Sequence, residues 1–260
     1  MQIKAKKSLG QNFLIDKNIL RKIVSVGEIS RGDNILEIGP GTGNLTEYII
    51  KSNPNTVIVV EKDIGLSKIL ESKFKNQIKI VNKDILKLSE GFYKREFLAY
   101  GNLPYNISTQ ILAYWCLSKK IKFKKLILMF QKEVADRIIA KVDTKNYSRI
   151  TILANWKFSI KKIFDINPEC FSPKPKIKST LLEFKPKNNI AEIQNPKNLE
   201  YITRIFFGQR RKMIKKNFKK LFKDFSKVSK SIDIKLTDRP QNISIDKYLK
   251  IVKEFEDKSN

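Results

Sequence analysis

The chain has 260 residues, 41% of them apolar, enough for one large domain and a small one. It contains no histidine, and its two cysteines, Cys116 and Cys170, lack metal-ligand spacing, which excludes imidazole general bases, Ser-His-Asp triads and His-ligated zinc. A net charge of +27 makes nucleic acid the expected partner, although a codon usage rich in Lys, Ile and Asn supplies part of that charge without any selection for binding. No apolar run approaches the ~18–20 residues of a membrane span. The basic start, Met1-Gln2-Ile3-Lys4-Ala5-Lys6-Lys7, leads into no apolar signal stretch, so no membrane and a reducing cytoplasm are expected.

The first stretch, Lys6-Lys7-Ser8-Leu9-Gly10-Gln11-Asn12-Phe13-Leu14, suits an ordered arm beside a ligand site, or a frayed tail. Ile19, Leu20, Ile23 and Val24 then recur at helical spacing and predict an amphipathic helix over about residues 16–26, with Asp16 as its N-cap. Residues 33–38 read as the first buried strand, running into Gly39-Pro40-Gly41-Thr42-Gly43 and a helix from about Asn44 to Lys51. Strand, glycine turn and helix open a Rossmann-like nucleotide unit, though the Glu-x-Gly-x-Gly-x-Gly spacing is not that of dehydrogenases, and a plain structural turn is the other reading. A second strand over 57–60 ends at Glu61, where a carboxylate can accept both hydroxyls of a ribose or simply stand at the surface beside Lys62. A third over 78–81 leads to Asp84, placed either to accept from an adenine amine or to cap a helix.

Residues 96–100 predict a fourth strand that delivers Gly101-Asn102-Leu103-Pro104-Tyr105 at its carboxyl end, ahead of a helix over about 108–117. An Asn-x-Pro-aromatic turn offers an amide oxygen, a stiff backbone and a flat ring, which suit a flipped-out base with an exocyclic amine. A fifth strand over 126–130 is followed by Gln131-Lys132-Glu133 and a helix to about Lys141. Extended stretches near 158–163 and 179–184 flank a stiff, proline-rich loop in which Phe171 stands amid lysines. Its ring is placed either to stack on a base or to plug the loop onto the core. The pattern predicts an α/β fold with a mixed, mostly parallel sheet. Polar residues 185–198 read as a linker, with helical patterns beyond. In Gln209–Lys223 eight of fifteen residues are Lys or Arg and none is acidic, while Ile214, Phe218, Leu221 and Phe222 keep helical spacing. One helix with a packed face and a cationic stripe for phosphates is expected there, a merely solvated face, which would usually mix both signs, being the other reading.

Taken together, several motifs in order resemble the KsgA-type small-subunit (16S) ribosomal RNA adenine-N6,N6-dimethyltransferases, over nearly the whole chain. They are Leu9-Gly10-Gln11-Asn12-Phe13-Leu14, Leu36-Glu37-Ile38-Gly39-Pro40-Gly41-Thr42-Gly43, Glu61-Lys62-Asp63, Gly101-Asn102-Leu103-Pro104-Tyr105-Asn106-Ile107-Ser108, Gln131-Lys132-Glu133-Val134, Phe171-Ser172-Pro173-Lys174-Pro175-Lys176 and Phe207-Gly208-Gln209-Arg210-Arg211-Lys212. The resemblance implies a Rossmann-like class I methyltransferase domain with its arm over 1–186, and a small, basic, helical rRNA-binding domain over 187–260. It implies S-adenosyl-L-methionine as cofactor, no metal, and transfer of methyl groups to N6 of two adjacent adenosines near the 3′ end of small-subunit rRNA. The setting implied is a pre-30S particle during ribosome biogenesis, with the protein acting as a cytoplasmic monomer. By the family pattern Asn12, Leu14, Gly39, Glu61, Asp84 and Asn102 contact the cofactor. The Asn102 side-chain oxygen and the Leu103 carbonyl accept from the amine, Tyr105 and Phe171 hold the base, and Arg210, Arg211 and Lys212 contact RNA. Two other readings share the fold: an Erm-like 23S rRNA adenine methyltransferase, and a non-catalytic nucleic-acid-binding assembly or transcription factor. The Phe207–Lys212 motif speaks against the first and the intact Asn102–Tyr105 turn against the second.

Overall fold

The structure, a computed structural model, describes residues 11–257; residues 6–10 of the expected arm, Leu9 and Gly10 included, lie outside the described residues. In chain order the strands and α-helices are β1 (Phe13–Leu14), α1 (Lys17–Gly27), β2 (Asn34–Ile38), α2 (Asn44–Lys51), β3 (Thr56–Val60), α3 (Ile64–Phe74), β4 (Lys79–Val81), β5 (Phe97–Asn102), α4 (Ser108–Leu117) and β6 (Phe123–Gln131). They continue with α5 (Lys132–Ile138), α6 (Arg149–Lys157), β7 (Phe158–Ile166), β8 (Phe171–Ser172), β9 (Ser179–Pro186), α7 (Pro196–Phe207), α8 (Lys215–Leu221), α9 (Phe225–Ser231) and α10 (Ile245–Asp257).

Seven strands form one sheet in the order β4-β3-β2-β5-β6-β9-β7. The pairs β2–β3, β3–β4, β2–β5 and β5–β6 are parallel, and β6–β9 is antiparallel. This is the expected mixed, mostly parallel α/β sheet. Ile35, Leu36, Ala99, Leu126 and Leu128 are completely buried, which is why these strands read as continuous apolar runs. After β2 the chain winds outward through β3 and β4, then returns to β5 on the other side of β2. Strand order reverses there, so the carboxyl ends of β2 and β5 lie side by side, with Ile38 opposite Gly101. The arm adds a separate two-stranded ladder, in which Phe13 faces Ser172 and Leu14 faces Phe171. Helix α1 is capped by Asp16, whose Oδ1 accepts from the N–H groups of Asn18 and Ile19 at 2.8 and 3.0 Å.

The chain divides into two compact units. The larger comprises the chain to Trp115, Lys120–Ala135 and Ser159–Pro186; the smaller comprises Cys116–Lys119, Asp136–Phe158 and the chain from Lys187. In the smaller unit Phe206 meets the edges of Phe218 and Tyr248, with ring centroids 5.7 and 5.6 Å apart. The entry to α7 is fixed by Glu256, which accepts from the N–H groups of Gln194 and Asn195, both at 2.8 Å.

One sequence expectation needs correction. Residues Gln209–Lys223 are not one helix: α7 stops at Phe207, turns follow, and only Lys215–Leu221 is α-helical. The cause is tertiary, because the Ile214 and Lys215 N–H groups bond to the carbonyls of Asp238 and Leu236 at 2.9 and 3.1 Å instead of to the preceding turn. The packed side nevertheless forms, with Ile214, Phe218 and Phe222 buried. The helices α3 and α6 were not foreseen, although Asp63 caps the first and Ser148 boxes the second.

Candidate active site

The glycine loop between β2 and α2 holds Gly39, Gly41 and Gly43 at φ values of 65°, 58° and 76°. L-residues with a Cβ rarely adopt that region. A Cβ on Gly41 would also lie 2.7 Å from Cδ1 of Phe13, so this glycine admits the ring of the arm as well as making the turn. A Cβ on Gly39 would stand 3.5 Å from the Asn102 carbonyl oxygen across the strand reversal.

Three acids lie around this loop. Glu61, at the end of β3, accepts from the N–H of Gly41 at 3.2 Å and of Asp63 at 2.9 Å, which fixes its carboxylate against the glycine turn. Burial pushes its carboxyl above the usual range, against the opposing effect of those N–H groups. Asp84 caps a short 3-10 turn after β4 and accepts from Leu86 N–H and from Lys62 Nζ, both at 3.0 Å. Burial works against its ionisation, but the Lys62 ammonium and the Leu86 N–H outweigh it and hold the carboxyl below the ordinary range. Glu37, in β2 two residues before Gly39, escaped the sequence reasoning as a site group. Its carboxyl is 2% exposed and accepts from the Thr46 hydroxyl at 2.7 Å. Burial first, and the nearby Glu61 charge, push it up to about 7 despite that bond. An acid inside an otherwise apolar strand was the signal available.

The arm is wired into the same place. Leu14 O accepts from Asn44 Nδ2 at 2.8 Å, and Asn12 O accepts from Asn102 Nδ2 at 2.8 Å. A carbonyl can only accept, so the Asn102 amide must turn its NH2 toward the arm. That leaves Oδ1, an acceptor, on the other side of the planar group.

Asn12, Leu14, Gly39, Glu61, Asp84, Asn102, Leu103 and Tyr105 all line one cleft of about 180 Å³ at the carboxyl ends of β2 to β5. Leu103 is buried and Tyr105 half-buried. Phe171 is not among the lining residues; it is 3% exposed and belongs to the apolar cluster that also holds Leu14, Ile166 and Leu181. Arg210, Arg211 and Lys212 belong to the smaller unit, where they line a basic groove with Lys215, Lys219 and Arg239. Arg210 is held there by the carbonyl of Lys145.

The donor set fits an adenosyl cofactor. A strand-end carboxylate, a second acid one strand on, and a glycine turn that brings backbone close are the parts such a molecule needs.

Comparison with known proteins agrees with this geometry. Residues 2–257 match the family model described as ribosomal RNA adenine dimethylase. The ribosomal RNA small subunit methyltransferase A of Pelagibacter ubique is 55% identical over 260 residues, covering 99% of each chain. The protein of the same name from Malacoplasma penetrans is 39% identical over 257 residues, covering 97% of this chain and 93% of its own. Among solved structures, a dimethyladenosine transferase from Plasmodium falciparum superposes with a TM-score of 0.80 at 28% identity, covering 95% of this chain and 98% of that one. The 23S rRNA methyltransferase ErmE gives 0.68 at 21% identity over 94% of this chain and 99% of its own, a likeness of fold alone.

Proposed function

The chain belongs to the ribosomal RNA adenine dimethylase family, and from that premise we propose that it methylates adenines of small-subunit ribosomal RNA with S-adenosyl-L-methionine. The observation that carries the reading is the meeting of the glycine turn, the Glu61 carboxylate and the Asn102–Tyr105 turn in one cleft. The finer target is two adjacent adenosines near the 3′ end, taken to N6,N6-dimethyladenosine within a pre-30S particle. The reading includes action as a monomer. Ribosome assembly places that action in the cytoplasm.

The bound cofactor supplies a methyl on a sulfonium, whose departing thioether is neutral and needs no metal. Residues of this chain do the rest. Glu61 accepts from the ribose hydroxyls, Asp84 from the cofactor's adenine amine, and the Gly39 turn lets the cofactor approach the backbone; Asn12 and Leu14 close the arm side. The N6 lone pair of a target adenine is delocalised into the ring and attacks poorly. The Asn102 Oδ1 and the Leu103 carbonyl accept its two N–H bonds, which draws the nitrogen out of conjugation and aims its lone pair at the methyl. An amide in this position accepts without burying a further charge in the cleft. Tyr105 stacks the base. Phe171, deep beneath the arm, supports this surface through β8 and Leu14. Arg210, Arg211 and Lys212 hold phosphates of the RNA.

Incubation with labelled cofactor and under-methylated small subunits should yield labelled N6,N6-dimethyladenosine in the small-subunit rRNA. Its absence, or label in 23S rRNA instead, would overturn the reading. Asn102→Ala should lower transfer by about a hundredfold or more; an unchanged rate would remove Asn102 from the mechanism.

A further inference from the structure

We propose that Ser179 is a positioning residue for methyl transfer: its hydroxyl tethers the phenol oxygen of Tyr105 and so fixes, at its far end, the ring on which the target base stacks. The proposal rests on the reading of Tyr105 as the stacking residue. Tyr105 Oη and Ser179 Oγ are 2.8 Å apart, although 74 residues separate them in the chain. Ser179 is completely buried, whereas Tyr105 lines the cleft.

Ser179 is a firm anchor. It begins β9 and faces Gln131, the last residue of β6, in the antiparallel ladder. On one side of it, Lys178 O accepts from Lys132 N–H at 3.0 Å. On the other, the Thr180 hydroxyl donates to Asp165 Oδ1 at 2.7 Å, and that carboxylate also meets Lys132 at 3.6 Å. Tyr105 is less constrained. It follows Pro104 in a turn rather than in a strand or helix, and its phenol is held at the far end by Ser179. A stacked ring that tilts carries the base with it, and N6 must stay in line with the methyl through two successive transfers. A bond at the para oxygen removes that tilt. Burial raises the phenol's pKa, which keeps its proton on and leaves a neutral hydrogen bond as the tether. The anchor also ends the segment Pro173–Lys178, which carries Lys174, Lys176 and Lys178.

The test is a double-mutant cycle on the full chain with under-methylated small subunits and saturating cofactor, read as single-turnover rate and as the ratio of N6-monomethyl to N6,N6-dimethyl product. Ser179→Ala and Tyr105→Phe should each slow transfer about three- to tenfold, the worth of one neutral hydrogen bond. Both should raise the monomethyl share while leaving cofactor affinity unchanged. The double variant should be no slower than the slower single one. Tyr105→Phe breaks the same bond from the other side, so the cycle does not depend on how well one variant folds. If Ser179→Ala leaves the rate unchanged, or slows the Tyr105→Phe protein as much as the native one, the tether is overturned. Tyr105→Ala separates the premise: wild-type activity in that variant removes the stacking role itself, whereas loss of activity with an additive cycle removes only the tether.

Discussion

At the scale of single residues the glycine turn rests on a carboxyl group that its surroundings do not want charged. Glu37 is sealed under the loop, with Thr46 as donor and Glu61 close by. Its pKa of about 7 in the fold, against an ordinary 4.5, has a definite consequence for stability. Below pH 4.5 the group is protonated in both folded and unfolded chains and contributes no difference. As pH rises the unfolded chain ionises first, so stability falls through the window from 4.5 to about 7 and is fully lowered above it. Glu37→Gln keeps an acceptor for Thr46 and removes the titration. The variant should match the native protein at low pH and exceed it above neutrality by on the order of 3 kcal/mol. Urea unfolding of the cofactor-free protein across that range measures this, and a pH-independent difference would refute it. Asn102 shows the same reliance on neighbours, since a backbone carbonyl of the arm decides which face of its amide accepts.

At the scale of elements, the arm and the glycine loop are fitted to each other. Gly41→Ala would put a methyl 2.7 Å from the Phe13 ring in a residue held at φ 58°. It should cost about 1–3 kcal/mol of stability and weaken cofactor binding. Gly32→Ala, whose methyl would meet nothing within 4 Å, should be neutral in both measurements. Thermal melts with and without cofactor compare the pair, and equal behaviour would break the link between arm and loop. Most of these elements were legible in the sequence because buried parallel strands read as apolar runs, and the glycine turn, Glu61 and Asn102 follow such runs, while Asp84 follows the short, partly exposed β4. Glu37, α3 and α6 carried local signals; the rest of what escaped depends on contacts between distant residues. The β1–β8 ladder is two residues long and joins 13–14 to 171–172, too short for any periodicity. The stretch after Gly208 has the spacing of one helix, yet Asp238 and Leu236 take two of its donors. Ser179 carries no motif of its own; its role comes from a phenol that folding brings to it.

At the scale of the whole molecule, positive charge prevails. The chain carries +27, and although the cleft holds Glu37, Glu61 and Asp84, Lys62 and Lys83 line it too and Lys62 pairs with Asp84. A polyanion is therefore the partner that the net charge favours. The groove of Arg210, Arg211 and Lys212 should make ribosome binding steeply salt-dependent. Replacing all three by Ala should reduce the slope of log affinity against log salt by roughly two to three, the contribution of the lost phosphate contacts. Filter binding of small subunits over a salt series tests this; an unchanged slope would take these residues off the RNA.

The pairing of the arm with β8 also bears on how the protein is made. Synthesis runs from the N-terminus, so Phe13 and Leu14 leave the ribosome early, but their partners, Phe171 and Ser172, emerge only after the chain from α1 through β7 has been translated. The carbonyls of Asn12 and Leu14 are placed by that pairing, and the first of them orients Asn102. Phe13 and Leu14 thus wait for a strand made far later in the chain, and a polypeptide whose synthesis stops before Phe171 has the glycine turn and Asn102 but no strand to hold the arm over them.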